Sequence, residues 1–198
     1  MDQKDSVLKT ITQFTLEAGI GQMMADIFPD GDGDHIADTP QRYVRGMMEL
    51  ISGVNQDPAA VLKTGFAESH YDQMISVEDI DFVSLCKHHL LPFHGFVHFG
   101  YIPDQRIVGL SKIPRMVEII ARRPQTQEQL TQQLVQVFQE TLNPLGCIAI
   151  VEAWHACVGI RGIRKPNSRM RTTALTGLFL TKPAVKEEFL LGVLRGRK

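Results

Sequence analysis

Two short clusters of cysteine and histidine lie far apart in this sequence, and together they constrain its fold. The first reads Cys86-Lys87-His88-His89, and the second reads His155-Ala156-Cys157. Thiolates and imidazoles are ligands that zinc prefers, and a closed structural zinc site takes four of them. The two clusters supply two thiols and three imidazoles. A chain that binds one ion with both clusters must fold so that they converge, and it has an imidazole left over for chemistry.

Composition narrows the class of protein. Of the 198 residues, 43% are hydrophobic and 22% are charged, and the net charge is −1. These proportions are typical of a globular protein with a full core, whereas a dedicated nucleic-acid binder is usually strongly basic. No run of consecutive apolar residues approaches the length of about 18 that a membrane-spanning helix needs. The N-terminus is charged where a signal peptide would be apolar. Three cysteines without a C-x-x-C motif do not suggest a disulfide framework either. Taken together, these features lead us to expect a cytoplasmic protein that binds neither nucleic acid nor membrane.

The sequence predicts an N-terminal helical extension over residues 1–55, followed by a main domain over residues 56–198. Apolar residues recur at helical spacing from Val7 to Ala18, which predicts a first amphipathic helix. A second helix is predicted to begin at Thr39-Pro40 and to end near Gly53, because threonine is a good N-cap and proline is favoured at the first helical position. Residues 30–38 between them are a predicted loop.

The pattern of the main domain predicts an α+β fold. Strands are indicated by β-branched and aromatic residues, and helices by apolar residues at i, i+3, i+4 and i+7. Ser111 is predicted to cap the first of two helices, and Pro124 separates it from the second. The order strand, strand, helix, helix, strand, strand predicts an antiparallel β-sheet with two helices on one face. The predicted strands are 74–85, 96–102, 147–158 and 170–180, and a final helix is predicted over 186–194.

Local geometry suggests how the clusters could share one ion. His155 and Cys157 are two apart in a predicted strand, so they would face the same side about 7 Å apart. Cys86 and His89 are three apart in a turn and could converge. A site of Cys86, His89 and Cys157 leaves the fourth tetrahedral position open, as in catalytic zinc sites. His88 and His155 would then lie beside the metal as proton-transfer groups, because imidazole titrates near working pH.

A different interpretation fits the same spacing. A closed structural zinc site could use Cys86, either His88 or His89, His155 and Cys157. The protein would then be a non-enzymatic, zinc-stabilised scaffold that binds nucleotides or a partner protein. The remaining cysteine and histidines are predicted to be ordinary packing or surface groups: Cys147, His35, His70, His94 and His98.

Four stretches of the chain resemble the GTP cyclohydrolase I family. The similarity runs from about Thr39 to the C-terminal helix, and the motifs occur in the family's order. They are residues 84–93 (SLCKHHLLPF), 109–115 (GLSKIPR), 123–131 (RPQTQEQLT) and 155–162 (HACVGIRG). The resemblance implies the tunnelling fold for the catalytic domain over residues 56–198. It also implies a toroidal homodecamer of two stacked rings, with each site formed at a subunit interface.

The resemblance further implies a hydrolytic ring rearrangement of GTP. Water attacks C8 of guanine, the imidazole ring opens and formate leaves. The ribose then undergoes an Amadori rearrangement, and ring closure gives 7,8-dihydroneopterin triphosphate, the first step of tetrahydrofolate and pterin biosynthesis. On the matching positions, Cys86, His89 and Cys157 hold zinc. His88 and His155 handle protons.

Substrate-binding positions are implied in the same way. Glu128, with Gln127 beside it, matches the reader of the guanine edge, whose N1–H and amino group are adjacent donors for a carboxylate. The triphosphate needs cations, because the sequence has no G-x-x-x-x-G-K-[ST] loop. The positions that match the family's phosphate contacts are Arg42, Ser111, Lys112, Arg115 and Arg161.

Three features depart from the family pattern. Lys87 stands where an acid is usual, which predicts a shifted pH profile, because a nearby cation lowers histidine pKa values and favours thiolate. Ala174 replaces a hydroxyl residue, and residues 164–171 are unusually basic.

Another enzyme class on the same fold, the nitrile reductases that use a nicotinamide cofactor, fits less well. Its lysine-rich cofactor motif is not seen, and it has no use for His155 and Cys157.

Overall fold

The structure is a computed structural model, and it describes residues 3–29, 34–63, 66–67 and 71–195. The chain divides into two compact units, Met1–Leu50 and Ile51–Lys198. The first unit contains α1 (Gln3–Ile27), α2 (Asp34–Ala37) and α3 (Thr39–Leu50), and α1 packs against α3. Both predicted N-terminal helices are therefore present. Residues 30–33 of the predicted loop lie outside the described residues, as does His70.

The second unit is a mixed α+β domain. After a 3₁₀ turn at Ala60–Leu62, its elements are β1 (Phe66–Ala67), β2 (Ile75–Cys86), β3 (Pro92–Ile102), β4 (Arg106–Ile107), α4 (Lys112–Ala121), β5 (Pro124–Gln125), α5 (Gln127–Leu142), β6 (Gly146–His155), α6 (Ala156–Gly159), β7 (Arg169–Leu175), α7 (Leu178–Thr181) and α8 (Pro183–Arg195). β1 pairs with β4, and the other strands form one sheet in the order β5-β2-β3-β6-β7. The four long strands pair antiparallel, whereas β5 runs parallel to the end of β2.

Two predicted strands end earlier than expected. β6 ends at His155, and Cys157 lies in the helical turn α6, where the Ile160 N–H donates to the carbonyl of Ala156 over 3.0 Å. The prediction that His155 and Cys157 share a strand is therefore wrong. The last strand ends before Gly177, whose φ of +53° turns the chain into α7. Helical turns of four residues are too short for periodicity to separate them from a strand.

The core occupies both faces of the sheet. α4 and α5 cover one face, where Val151 and Phe138 are buried. Because side chains alternate along a strand, the neighbouring Ile150 points to the opposite face. There it packs with Phe179 of α7 and Phe189 of α8 in a second cluster. The two helices predicted on one face correspond to α4 and α5, whereas no prediction was made for the opposite face, which α7 and α8 cover.

The boundary between the units lies after residue 50, whereas the sequence predicted it after residue 55. Hydrogen bonds explain why the intervening segment belongs to the second unit. The Gly53 N–H donates to the carbonyl of Arg122 over 2.9 Å. The Arg123 guanidinium donates to the carbonyls of Gly53 and Gln56 over 3.0 and 2.7 Å. Across the described ranges, no helix combines the length and the apolar character that crossing a bilayer requires.

Candidate metal centre and catalytic site

Cys86 is the last residue of β2, and a tight turn follows it. Its side chain is buried, and its backbone N–H donates to the carbonyl of Leu91 over 2.9 Å. Its carbonyl accepts from the Leu90 N–H over 2.7 Å, and Leu90 has a φ of +53°. The turn curls back on the sulfur, so the Nδ1 atoms of His88 and His89 each lie 3.8 Å from Cys86 Sγ.

The pairing of β3 with β6 brings the second cluster to this turn. β3 begins directly after the turn, and its Phe93 is the register partner of His155. Cys157 follows in α6. As a result, the ligand atoms of Cys86, His89 and Cys157 all lie within 4.8 Å of one another. His88 is not part of that group.

This group fits a soft divalent metal such as zinc. With Zn–S near 2.3 Å and Zn–N near 2.05 Å, a tetrahedral site places its sulfur and nitrogen ligands about 3.6 Å apart. The Cys86 Sγ to His89 Nδ1 distance is 3.8 Å.

The pKa of the Cys157 thiol is raised, first by burial and then by the neighbouring Cys86 thiol, whereas the charge of Arg161 lowers it. Two sulfurs that face each other in this way are held as thiolates when a cation lies between them.

His155 lies two residues before Cys157 in the chain and is held on two sides. Its ring stacks flat on Phe93, with centroids 4.7 Å apart and an interplanar angle of 2°. Its Nε2 lies 2.9 Å from Oε1 of Gln127. Burial lowers the pKa of His155, and the charge of Glu128 opposes this effect. His88, by contrast, is exposed on the turn.

The start of α5 positions Gln127 and Glu128. Thr126 caps the helix: its hydroxyl accepts from the Gln129 N–H over 3.2 Å, and its own N–H donates to the Gln129 side chain over 3.1 Å. Gln127 is 1% exposed and turned into the protein, whereas Glu128 is exposed. The reciprocal cap was readable as the pattern T-x-x-Q. The ring support from Phe93 was missed, because it depends on strand register.

The candidate phosphate-binding residues lie on separate elements. Ser111, Lys112 and Arg115 occur at the start of α4, where the Ser111 side chain makes no capping hydrogen bond, contrary to the prediction. Arg161 is exposed directly after α6. Arg42 belongs to the first unit, where it pairs with Asp38 over 3.3 Å.

An open groove of about 690 Å³ is lined by His94 and Trp154 of the sheet and also by Glu118 and Arg122 at the end of α4. The side chains of His94 and Trp154 alternate away from Phe93 and His155, which belong to the helix-covered face. The groove's lining residues in the described chain do not include the metal group or Glu128. This groove is therefore not formed by the chemistry-bearing side chains.

Comparison with known proteins identifies the family of this chain. The family model for GTP cyclohydrolase I matches residues 16–193. A GTP cyclohydrolase 1 of Porphyromonas gingivalis is 45% identical over 88% of this chain and 90% of the relative. Those of Chlorobaculum tepidum and Mycobacterium bovis are 42% identical, covering 96% and 95% of this chain and 82% and 94% of theirs. The crystal structure of the archaeosine synthase QueF-Like in the apo form, 18% identical, aligns with a TM-score of 0.42 over 57% of this chain and 97% of that one. The chain belongs to the GTP cyclohydrolase I family.

Proposed function

We propose that this protein catalyses the zinc-dependent hydrolysis and ring rearrangement of GTP to formate and 7,8-dihydroneopterin triphosphate. The observation that carries the proposal is the group of Cys86, His89 and Cys157, with the imidazole of His155, two residues before Cys157 in the chain, left outside the group. A closed structural zinc site needs a fourth ligand, and among the described residues this ligand group has only three members. The three cysteines are free thiols, which suits the reducing cytoplasm in which we place the reaction.

The metal site divides the work between ligands and acid–base groups. Cys86, His89 and Cys157 would hold the zinc, which when bound lowers the pKa of a water molecule far below that of bulk water, toward about 7. His155 and His88 accept and donate the protons that ring opening and formate release require. A positioned general acid or base contributes roughly 10² to 10⁴ in rate. Phe93 supports the His155 ring and keeps water from one of its faces.

Substrate recognition uses residues at the starts of α5 and α4, together with Arg161 and Arg42 on other elements. Glu128 accepts the N1–H and the amino group of guanine, and its position at the start of α5 lies within electrostatic reach of His155. The triphosphate is bound by the cations and the hydroxyl on the other elements, because several charges must be neutralised at once. These residues are Arg42, Ser111, Lys112, Arg115 and Arg161.

We further propose the tunnelling fold and a toroidal decamer, with each site completed at a subunit interface. Two observations support an assembly. β5 covers only the last two residues of β2, and β7 is the other edge of the sheet, so long stretches of both outer strands have backbone groups available for another subunit. In addition, Leu90, Leu110 and Ile160 are 52%, 72% and 69% exposed. Each directly adjoins a candidate site residue in the sequence, as expected where a second subunit covers the site.

Incubation of zinc-loaded protein with GTP tests the proposed activity. Formate and a pterin that fluoresces after oxidation are expected in equal amounts. Zinc-loaded protein that releases no formate would contradict the activity and leave a zinc-stabilised scaffold. Sedimentation of the fully active protein at the mass of its 22.2 kDa chain would contradict the assembly.

Replacement of Glu128 by glutamine is expected to weaken recognition of the base. A hydrogen bond to a charged group contributes about 1.5 to 3 kcal/mol, so kcat/KM for GTP should fall roughly 10- to 100-fold. The preference for GTP over inosine triphosphate, which lacks the amino group, should shrink with it. Steady-state kinetics with both nucleotides measure the effect. Glu140→Gln, at the far end of α5, is the matched control and should behave like the parent. An unchanged preference for GTP over inosine triphosphate in Glu128→Gln would rule out the proposed role of Glu128.

A further inference from the structure

We propose that Gln127 is a positioning residue that holds the proton of neutral His155 on Nε2, so that Nδ1 is the ring nitrogen that exchanges protons with the substrate. This inference rests on the proposed function and deepens it. It also separates the role of Gln127 from that of Glu128. The family resemblance alone places both residues together at the position that reads guanine.

The orientation of the Gln127 amide follows from its partners. Its Nε2 lies 3.0 Å from the carbonyl oxygen of Val151 and 3.2 Å from that of Met170. Carbonyl oxygens only accept hydrogen bonds, so the amide nitrogen must face them. The amide oxygen is then the atom that faces His155.

A chain of hydroxyl groups requires the same orientation. Thr131 donates its only hydroxyl proton to the backbone carbonyl of Gln127 over 2.7 Å. At the 2.6 Å contact between Thr131 and Thr172, the donor is therefore Thr172. Thr172 is left as an acceptor for Nε2 of Gln127, at 3.1 Å. Each hydroxyl has a single proton, so the donors run in one direction from Gln127 through Thr172 to Thr131.

The tautomer of His155 is the consequence. Oε1 of Gln127 can only accept, and it lies 2.9 Å from Nε2 of His155, so this nitrogen carries the proton. In the neutral ring, Nδ1 is then the acceptor. Stacking on Phe93, at an interplanar angle of 2°, holds the ring plane in which both nitrogens lie. A general base held in one tautomer and one plane offers its lone pair in a defined direction, which is what proton transfer needs.

The same contacts leave Gln127 little capacity to bind a base. It is 1% exposed, and its two N–H groups already serve three acceptors, with the oxygen directed to His155. Reading of the guanine edge is then the task of Glu128, which is exposed on the next position of the helix.

Solid-state NMR of the zinc-loaded, substrate-free protein with ¹⁵N-labelled histidine tests the hydrogen bond directly. The His155 signals are assigned as those missing from His155→Gln, at a pH where the ring is neutral. We expect a protonated Nε2 and an unprotonated Nδ1. A proton on Nδ1 would overturn the proposal. This measurement needs no turnover, so it judges the hydrogen bond even if the protein does not convert GTP, an outcome that would overturn only the proposed function and the catalytic half of this inference.

Kinetics of Gln127→Met test the consequence for catalysis. We expect kcat to fall by about 10²-fold, the lower end of what a positioned general base contributes, with KM for GTP and zinc content unchanged. Gln132→Met is the matched control, because it makes the same substitution at an exposed position of the same helix, and its kcat should stay near that of the parent. A raised KM with unchanged kcat in Gln127→Met would show that Gln127 reads the base, and the proposal would be wrong.

Discussion

Replacement of Cys157 by alanine is expected to remove the bound metal and the activity together. The variant keeps one thiolate and one imidazole, and two ligands do not hold zinc in competition with water. Even changes in the groups that support zinc ligands cost 10- to 100-fold in affinity, so loss of a ligand should lower the affinity by more than about 10²-fold. Elemental analysis of the purified variant should find far less than one zinc per chain, and GTP should yield no formate above background.

Cys147 provides the matched control for this experiment. Its thiol lies in the core, where it donates toward the carbonyl of Val135 over 3.6 Å, and burial raises its pKa to about 11. It is therefore a neutral packing group, remote from the metal chemistry. Cys147→Ala should keep one zinc per chain and keep its activity, although it loses some stability. Full zinc occupancy in Cys157→Ala would show that the metal has other ligands, and the proposed site would fail.

The second large effect is expected from His155→Ala. Loss of a positioned proton-transfer group should slow formate release by roughly 10²- to 10⁴-fold. Metal content should stay at one zinc per chain, because His155 is not part of the ligand group. Formate release under GTP saturation, together with the metal analysis of the same preparation, separates the two properties. An enzyme that lost zinc in this variant would favour the closed structural site, in which His155 is a ligand.

His94→Ala controls for removal of an imidazole close to the site. His94 follows Phe93 in β3 and is exposed on the opposite face, where it stacks with Trp154 at a centroid distance of 6.0 Å. Exposed substitutions that disturb no buried group have small effects. Its rate of formate release should match that of the parent protein. If His155→Ala were equally active, His155 would have no acid–base role.

Much of the candidate site could be predicted from the sequence, because it depends on residue chemistry and short spacing. The turn after Cys86 places two imidazoles near its sulfur with only local hydrogen bonds. The same is true of the cap at Thr126, which sets the position of Glu128 at the start of α5. The long strands and the helices α4 and α5 were also predicted, since their apolar periodicity extends over many residues.

The predictions that were wrong concern short or long-range features. The helical turn at Cys157 is too brief to have a period of its own, so the sequence placed it in a strand. The covering of the second face by Phe179 and Phe189 was missed, because the apolar run at the start of α7 continues the pattern of the preceding strand. Both errors changed the path of the backbone but not the identity of the metal group.

The sequence by itself determined the donor atoms and their order: two thiols, three imidazoles and the carboxylate of Glu128. Only the tertiary structure decided which of these groups lie together and which ring nitrogen of His155 carries the proton. The register of Phe93 with His155 brings the two clusters together, and Thr172 on β7 fixes the amide of Gln127. Such contacts join residues that are distant in the chain, and local periodicity contains no information about them. The tautomer of His155 therefore depends on strand pairing, which only the folded chain provides.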